Sequence, residues 1–182
     1  SFDRPTITLR CLDAIKKAQG HKLVPEEVQT FLLHNGSNKE SIASVKNQFP
    51  QVTHLEIPQN RGYAGGTNLL LQPVFASYEW ALFLSNDCQM LNFPSIPETP
   101  SLVGPLVYRR KEDSIDSLGA LFSPFSGRLK HCRSQKEFLR GRRFWTTYIP
   151  GSAFLIHRDV FKAAGGFDET LFTYWEDVDF SV

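Results

Sequence analysis

Three short apolar runs, residues 28–33, 52–57 and 80–84, constrain this chain more than anything else in it. Each leads into a polar or glycine-rich stretch, and segments of helical period separate them. The first ends in His34-Asn35-Gly36-Ser37, the second leads to Asn60-Arg61-Gly62-Tyr63-Ala64-Gly65-Gly66, and the third ends in Ser85-Asn86-Asp87. Ile42, Val45 and Phe49 fall at helical spacing before Pro50, and Leu69, Leu70, Val74 and Phe75 do so after a glycine-rich turn. Pro5 is placed to open an earlier helix carrying Leu9, Leu12, Ile15 and Lys16. Strand, helix, strand, helix, strand with short connections implies parallel strands joined by right-handed crossovers. The expected class is α/β, with a mostly parallel, Rossmann-like sheet flanked by helices.

Beyond residue 91 the rhythm changes. Pro94, Pro97 and Pro100 make a loop. Residues 102–108 and 118–130 read as extended, with Pro124-Phe125-Ser126-Gly127 as a hairpin tip. A last strand over 152–156 runs into a helix over 158–164, which Gly165-Gly166 ends. The charged runs 109–116 and 130–143 read as solvated surface.

A length of 182 residues suits one domain. Lys and Arg number 20 against 19 Asp and Glu, without the positive excess that nucleic-acid binding draws on. Three cysteines, Cys11, Cys88 and Cys132, without a C-x-x-C pair argue against a disulfide framework or a zinc site. They fit a reducing cytoplasm. No apolar run approaches the ~20 residues of a membrane span, and no leader pattern is visible. The first residue is not Met and the last residues fall within a motif, so the expectation is a fragment cut at both ends.

In an open parallel sheet, ligands collect outside the carboxyl ends of the strands. Gly62, Gly65 and Gly66 before a helix suit a backbone that approaches an anion, or simple turn chemistry. They are not in the G-x-G-x-x-G order, and no G-x-x-x-x-G-K-[ST] loop exists, which disfavours nicotinamide cofactors and simple nucleotide hydrolysis. Asp87 just past a strand can hold a hard divalent cation, or can be a turn cap. Glu176-Asp177-Val178-Asp179 follows Phe172-Thr173-Tyr174-Trp175 and is the densest cluster of carboxylates. In a helix, Glu176 and Asp179 would share a face while Asp177 points elsewhere. A negatively charged helix start explains the cluster equally well, whereas a general base near a sugar would also look like this.

Taken together, His34-Asn35-Gly36-Ser37, NRGYAGGTN (60–68), LFLSND (82–87), PGSAFLIHRDVF (150–161) and GGFDETLFTYWEDVDFSV (165–182) resemble the family-2 glycosyltransferases, most closely their rhamnosyltransferase-like branch. The opening Ser1-Phe2-Asp3-Arg4-Pro5 is similar to the S-Y-N-R-P end of that family's first strand. The resemblance covers nearly the whole chain. It implies a GT-A fold, a nucleoside-diphosphate sugar donor, a divalent cation (Mg or Mn) and inversion at the anomeric carbon. Residues 1–91 would form the nucleotide-sugar half and 92–182 the acceptor and catalytic half of one domain.

By position, the resemblance puts Phe2, Asp3 and His34 around the nucleotide base and ribose, and Asn60, Gly62, Asn68 and Asn86 in the donor pocket. It gives Asp87 to the metal, and makes Asp177, with Glu176 beside it, the base. Gly151, Ser152 and Trp175 fall towards the acceptor, a glycan or lipid-linked glycan. The implied setting is bacterial polysaccharide or glycan synthesis in the cytoplasm or at the inner face of the membrane, with no membrane span and no nucleic acid. Two positions depart from the family pattern: His34 replaces the usual base-binding Asp, and Ser85 the first Asp or Asn of the metal-binding triplet. A non-catalytic nucleotide-sugar- or glycan-binding module derived from the same fold is the alternative. A sugar-phosphate nucleotidyltransferase ranks third, because its N-terminal glycine-rich signature is absent.

Overall fold

The computed structural model describes residues 1–25, 27–109, 114–132 and 146–182. Helix α1 (Pro5–Gly20) opens with Pro5 in its first turn, where a missing N–H costs nothing. Strand β1 (Phe31–Asn35) lies parallel to β2 (Thr53–Ile57), in register from Phe31 opposite Thr53 to Asn35 opposite Ile57. Between them α2 (Lys39–Gln48) starts at Asn38, whose side chain accepts the Ser41 N–H at 2.8 Å. Leu12, Val45, Phe49 and Val52 form a buried cluster in this layer, packed by Leu9, Ile15 and Leu32. Next come α3 (Gly62–Ser77) and β3 (Trp80–Leu84).

The second half contributes β4 (Leu102–Val103), β5 (Val107–Arg109), β6 (Ser114–Ser117), β7 (Ala120–Ser123), β8 (Arg128–His131) and β9 (Ala153–His157). It ends with α4 (Arg158–Ala164), a 3-10 turn (Glu169–Leu171) and α5 (Glu176–Ser181). The hairpin tip expected at residues 124–127 joins β7 to β8. Gly165 ends α4 in the left-handed conformation. The run 110–113 and residues 133–143 of the second charged run lie outside the described residues.

One expectation needs correcting. Among the described residues, parallel pairing is confined to β1 and β2. Strand β3 pairs antiparallel with β9, Trp80 opposite His157, and β4 takes the other edge of β9. Among the described residues the antiparallel pairs β5–β6 and β7–β8 lie between β3 and β9, and a strand reached through such pairs can run either way. All five β9 residues are buried, as expected of a central strand covered on both faces. Strands β1 and β3 share no ladder. Both line a cavity of about 700 Å³, together with Leu12 and Ile15 of α1 and Leu71 and Val74 of α3.

The main core lies around β3, β9, α3 and α4. Leu155 and Ile156 are essentially inaccessible, Phe83 stacks on Phe154 at 4.8 Å, and Phe167 stacks on Phe180 at 4.1 Å. That last pair fastens α5 to the core. A smaller cluster of Ala120, Tyr148 and Val178 fastens the other side of α5 to the β7–β8 hairpin.

Candidate active site

Ser1 lies alongside β1, its amino group donating to Leu33 O at 2.5 Å and its carbonyl accepting the Asn35 N–H at 2.8 Å. Phe2 and Asp3 therefore stand at the carboxyl end of β1. Phe2 is half exposed at the rim of the cavity. Asp3 Oδ1 accepts the Asn38 N–H at 2.7 Å, which ties it to the start of α2.

Asn35, at the end of β1, organises the next strand end. Its Nδ2 donates to Gly62 O at 2.8 Å and its Oδ1 accepts the Arg61 N–H at 2.8 Å. The helix starts at Gly62 itself, so Gly65 and Gly66 sit in its first turn rather than in a preceding loop. Gly66 abuts the Asn35 amide, where a Cβ would meet Nδ2 at 2.7 Å. The first amides of α3 are taken: Gly62 N–H bonds Asn60 Oδ1 at 2.9 Å and Tyr63 N–H bonds Phe172 O at 2.7 Å. This glycine cluster packs against protein backbone and side chains, which accounts for it without an anion.

Two of the donor-pocket candidates have structural partners. Asn68 is buried, with Nδ2 donating to Phe167 O at 2.9 Å and to Glu169 Oε1 at 3.2 Å, while Oδ1 accepts the Phe167 N–H at 2.9 Å. It clamps the segment after α4 onto α3. His34 is 1% exposed and faces His54, Nε2 to Nδ1 at 3.0 Å, with the rings stacked. His54 Nε2 lies 3.0 Å from Phe49 O and so must carry the proton there. His54 Nδ1 is then an acceptor, and His34 Nε2 the donor. The physical reason is the period of the strand. His34 shares a face of β1 with Leu32, which packs against the α1–α2 cluster, while Leu33 and Asn35 turn to the other side.

Burial, then the neighbouring His54, pushes His34 down to about 4. The unfolded chain takes up a proton near pH 6.5 and the folded one does not until about 4. The contribution is complete above pH 6.5 and is lost as pH falls through that window, on the order of 3 kcal/mol. Urea unfolding between pH 7 and pH 4 should show this slope in the wild type and a shallower one in His34→Gln. Parallel curves would remove His34 from the account.

At the end of β3, Asn86 Nδ2 donates to Thr8 Oγ1 at 3.0 Å, and Asp87 is exposed. Among the described residues no group of three or more His, Cys, Asp or Glu side chains could hold a metal. What Asp87 offers is a single carboxylate. That fits a cation whose remaining ligands are diphosphate oxygens and water, and does not fit an all-protein cage.

The C-terminal carboxylates differ from one another. Asp177 is half-buried and holds three donors: Tyr148 OH at 2.7 Å and Gly151 N–H at 2.8 Å on Oδ2, and Val178 N–H at 2.9 Å on Oδ1. Glu176 is buried with no hydrogen-bond partner for Oε2 among the described residues. Burial, and the Asp177 charge beside it, hold its carboxyl above the usual range. Asp179 is exposed, so the expected pairing of Glu176 and Asp179 on one face does not describe their surroundings. Trp175 precedes them, 55% exposed and in the left-handed region at φ 72°, edge-on to Phe122 at 6.5 Å.

Two strand ends bring the distant stretches together. Ser85 N–H bonds Ser152 O at 2.8 Å, and the adjoining Gly151 N–H bonds Asp177. The segment that carries Asp87, two residues after Ser85, thus meets the segment that carries Asp177 at Gly151-Ser152. Tyr63 OH donates to Gly151 O at 2.5 Å, joining α3 to the same peptide. Asn60, Gly62 and Asn86 are in the lining of the cavity at β1–β3, and Asp87 and Asp177 are not part of its wall. Sequence reasoning missed Asn35, Tyr63 and Tyr148. Tyr63 could have been suspected from its place among the glycines, but nothing local marks Tyr148.

The sequence matches no model of a known protein family and no curated protein sequence. Solved structures do match. A mannosyltransferase from Pyrobaculum calidifontis in complex with GDP-Man and Mn2+ superposes with a TM-score of 0.62 at 14% identity, over 100% of this chain and 48% of that one. GalNAc-T7 with UDP, GalNAc and Mn2+ gives 0.65 at 17% identity, over 94% of this chain and 37% of that one. The chain thus spans less than half the length of either. No helix among the described residues is long and apolar enough to cross a membrane. At such identities the likeness is one of architecture: this chain has the α/β fold of GT-A-type glycosyltransferases.

Proposed function

We propose that this chain is the donor-binding and catalytic region of an inverting glycosyltransferase, which moves a sugar from a nucleoside diphosphate to a hydroxyl acceptor. The observation that carries the reading is the meeting of the Asp87 and Asp177 segments through Ser85–Ser152 and Gly151–Asp177, in a fold shared with a mannosyltransferase and with GalNAc-T7. Phe2, Asn60, Gly62 and Asn86 rim the donor cleft. Asn68 and His34, both buried, shape it from behind, and the exposed Asp3 stands beside Phe2 towards the base and ribose. Asp87 would hold the divalent cation, Mn2+ or Mg2+, which when bound offsets the charge left on the diphosphate.

Asp177 takes the proton of the acceptor hydroxyl. The acceptor oxygen bonds to the anomeric carbon as the bond to the diphosphate oxygen breaks on the opposite face, so configuration inverts. Gly151, Ser152 and Trp175 border the acceptor. Following the sequence resemblance, the proposed setting is rhamnosyltransferase-like glycan synthesis in bacteria, in the cytoplasm or at the inner face of the membrane.

One observation favours the alternative of a binding module without turnover: a lone carboxylate at the cation position. A thermal-shift screen of UDP, GDP and dTDP and their sugars, with and without Mn2+, decides between the two. Specific binding stabilises the fold by about 2.7 kcal/mol at a hundredfold excess over Kd. The expected result is a Mn2+-dependent shift that Asp87→Asn abolishes, accompanied by slow donor hydrolysis. Metal-independent binding without hydrolysis would leave the module, and no shift with any nucleotide would end the donor reading.

A further inference from the structure

Asp177 is held from one side by a phenol. We infer that Tyr148 is a positioning residue for the transfer reaction, fixing which oxygen of Asp177 faces the acceptor; the inference rests on Asp177 being the base. Tyr148 is 7% exposed, yet its OH reaches Asp177 Oδ2 at 2.7 Å. Gly151 N–H donates to the same oxygen at 2.8 Å. With two donors, Oδ2 has no lone pair left for a hydroxyl proton. Among the described residues Oδ1 receives only the Val178 N–H, at 2.9 Å, and retains a site. Proton transfer from the acceptor therefore goes to Oδ1, and Tyr148 selects it.

The phenol can do this because its backbone and ring are both packed in place. Tyr148 N–H and C=O both bond Ala120, at 3.1 and 2.9 Å. Its ring meets His131 edge-on at 6.0 Å, and it packs with Ala120 and Val178, with Phe122 and Leu129 of the β7–β8 hairpin around them. The hairpin thus acts as a buttress behind the carboxylate. Gly151 is fixed in turn by Tyr63 OH on its carbonyl, and a Cβ there would meet Tyr63 Oη at 2.6 Å and Asp177 Cβ at 3.2 Å. Burial and the Asp177 hydrogen bond both hold the Tyr148 phenol protonated far above its ordinary range, so it remains a donor wherever an enzyme of this kind would work.

The test is the pH dependence of hydrolysis of GDP-mannose and UDP-GalNAc with Mn2+, water standing in for the acceptor, in the full-length wild type, Tyr148→Phe, Tyr63→Phe and Asp177→Asn. Removing a charge-assisted hydrogen bond from a base makes it easier to protonate. Tyr148→Phe should lower kcat about tenfold with donor KM unchanged, and move the acid limb of the profile upward by about one pH unit. Tyr63→Phe touches no oxygen of Asp177 and should lower kcat without moving that limb. If Tyr148→Phe loses thermal stability but keeps the wild-type limb, the tyrosine is structural only and the inference falls, while an inactive Asp177→Asn would leave the base in place. If Asp177→Asn turns over at the wild-type rate, the underlying reading falls as well.

Discussion

Asp177→Asn should lower the rate of sugar transfer by ~10²–10⁴ while the donor binds as before. An amide has no lone pair that can take a proton at neutral pH, so an acceptor hydroxyl must attack with its proton still in place. The substitution is nearly isosteric, and the surroundings tell which way the amide turns. Tyr148 OH and Gly151 N–H both donate to Oδ2, so the remaining oxygen stays there and the new NH₂ takes the Oδ1 position. At that position it faces the Val178 N–H, donor against donor, a local conflict at the first turn of α5. The donor-side residues Phe2, Asn60 and Asn86 have no contact with that turn among those described, so calorimetric donor affinity should change little. A full-length Asp177→Asn enzyme with wild-type turnover would remove Asp177 from catalysis. Loss of donor binding together with turnover would mean the carboxylate shapes the cleft instead.

Glu176 is a poor substitute for that role despite its position. Its carboxyl is buried, one oxygen lacks a partner among the described residues, and burial favours its neutral form. The adjacent pair therefore divides by environment: Asp177 receives three hydrogen-bond donors, and Glu176 is buried with one oxygen unpartnered among the described residues. This is the kind of separation that sets two neighbouring carboxylates to different tasks.

What could be read in the sequence followed from local period. The runs at 28–33, 52–57 and 80–84 placed β1, β2 and β3 to within three residues, since apolar strands bounded by glycine and asparagine have few other forms. The hairpin tip at 124–127 and the Gly165 stop were legible for the same reason. The direction of β3's partner was not. Its ladder joins residues 80–84 to 153–157, and no local signal states which distant run will fill an edge. His34 was misjudged although the clue was present. Leu32 and His34 alternate onto one face of β1, and that face packs against α1 and α2, so the histidine had to go inward. Asn68 and Tyr148 mark the limit: their partners Phe167 and Asp177 lie 99 and 29 residues away, and an isolated asparagine or tyrosine does not announce a clamp.

The same long-range packing gives the second large effect, at Gly62. This residue has φ 69°, and a Cβ on it would lie 2.2 Å from Phe172 O. Gly62→Ala therefore carries two costs. The left-handed backbone alone costs an L-residue roughly 1–2 kcal/mol. The clash adds more, because the atom in the way is a backbone carbonyl that accepts the Tyr63 N–H and cannot swing aside as a side-chain tip would. Yielding there means moving residues 172–175, where Phe172, Tyr174 and Trp175 already have positive φ, and these lead straight into α5. The expected loss exceeds about 3 kcal/mol, or about 6–12 °C in Tm for a domain of this size. Gly165→Ala supplies the comparison, since Gly165 has φ 77° but nothing within 4 Å of its would-be Cβ. It should lose only the conformational part, roughly 1–2 kcal/mol. If the two variants melt together, Phe172 does not press on the start of α3. If Gly62→Ala is the less stable and also loses donor hydrolysis beyond what its unfolded fraction explains, the turn at 172–175 transmits the displacement to Asp177, and the glycine serves the base from across the cleft.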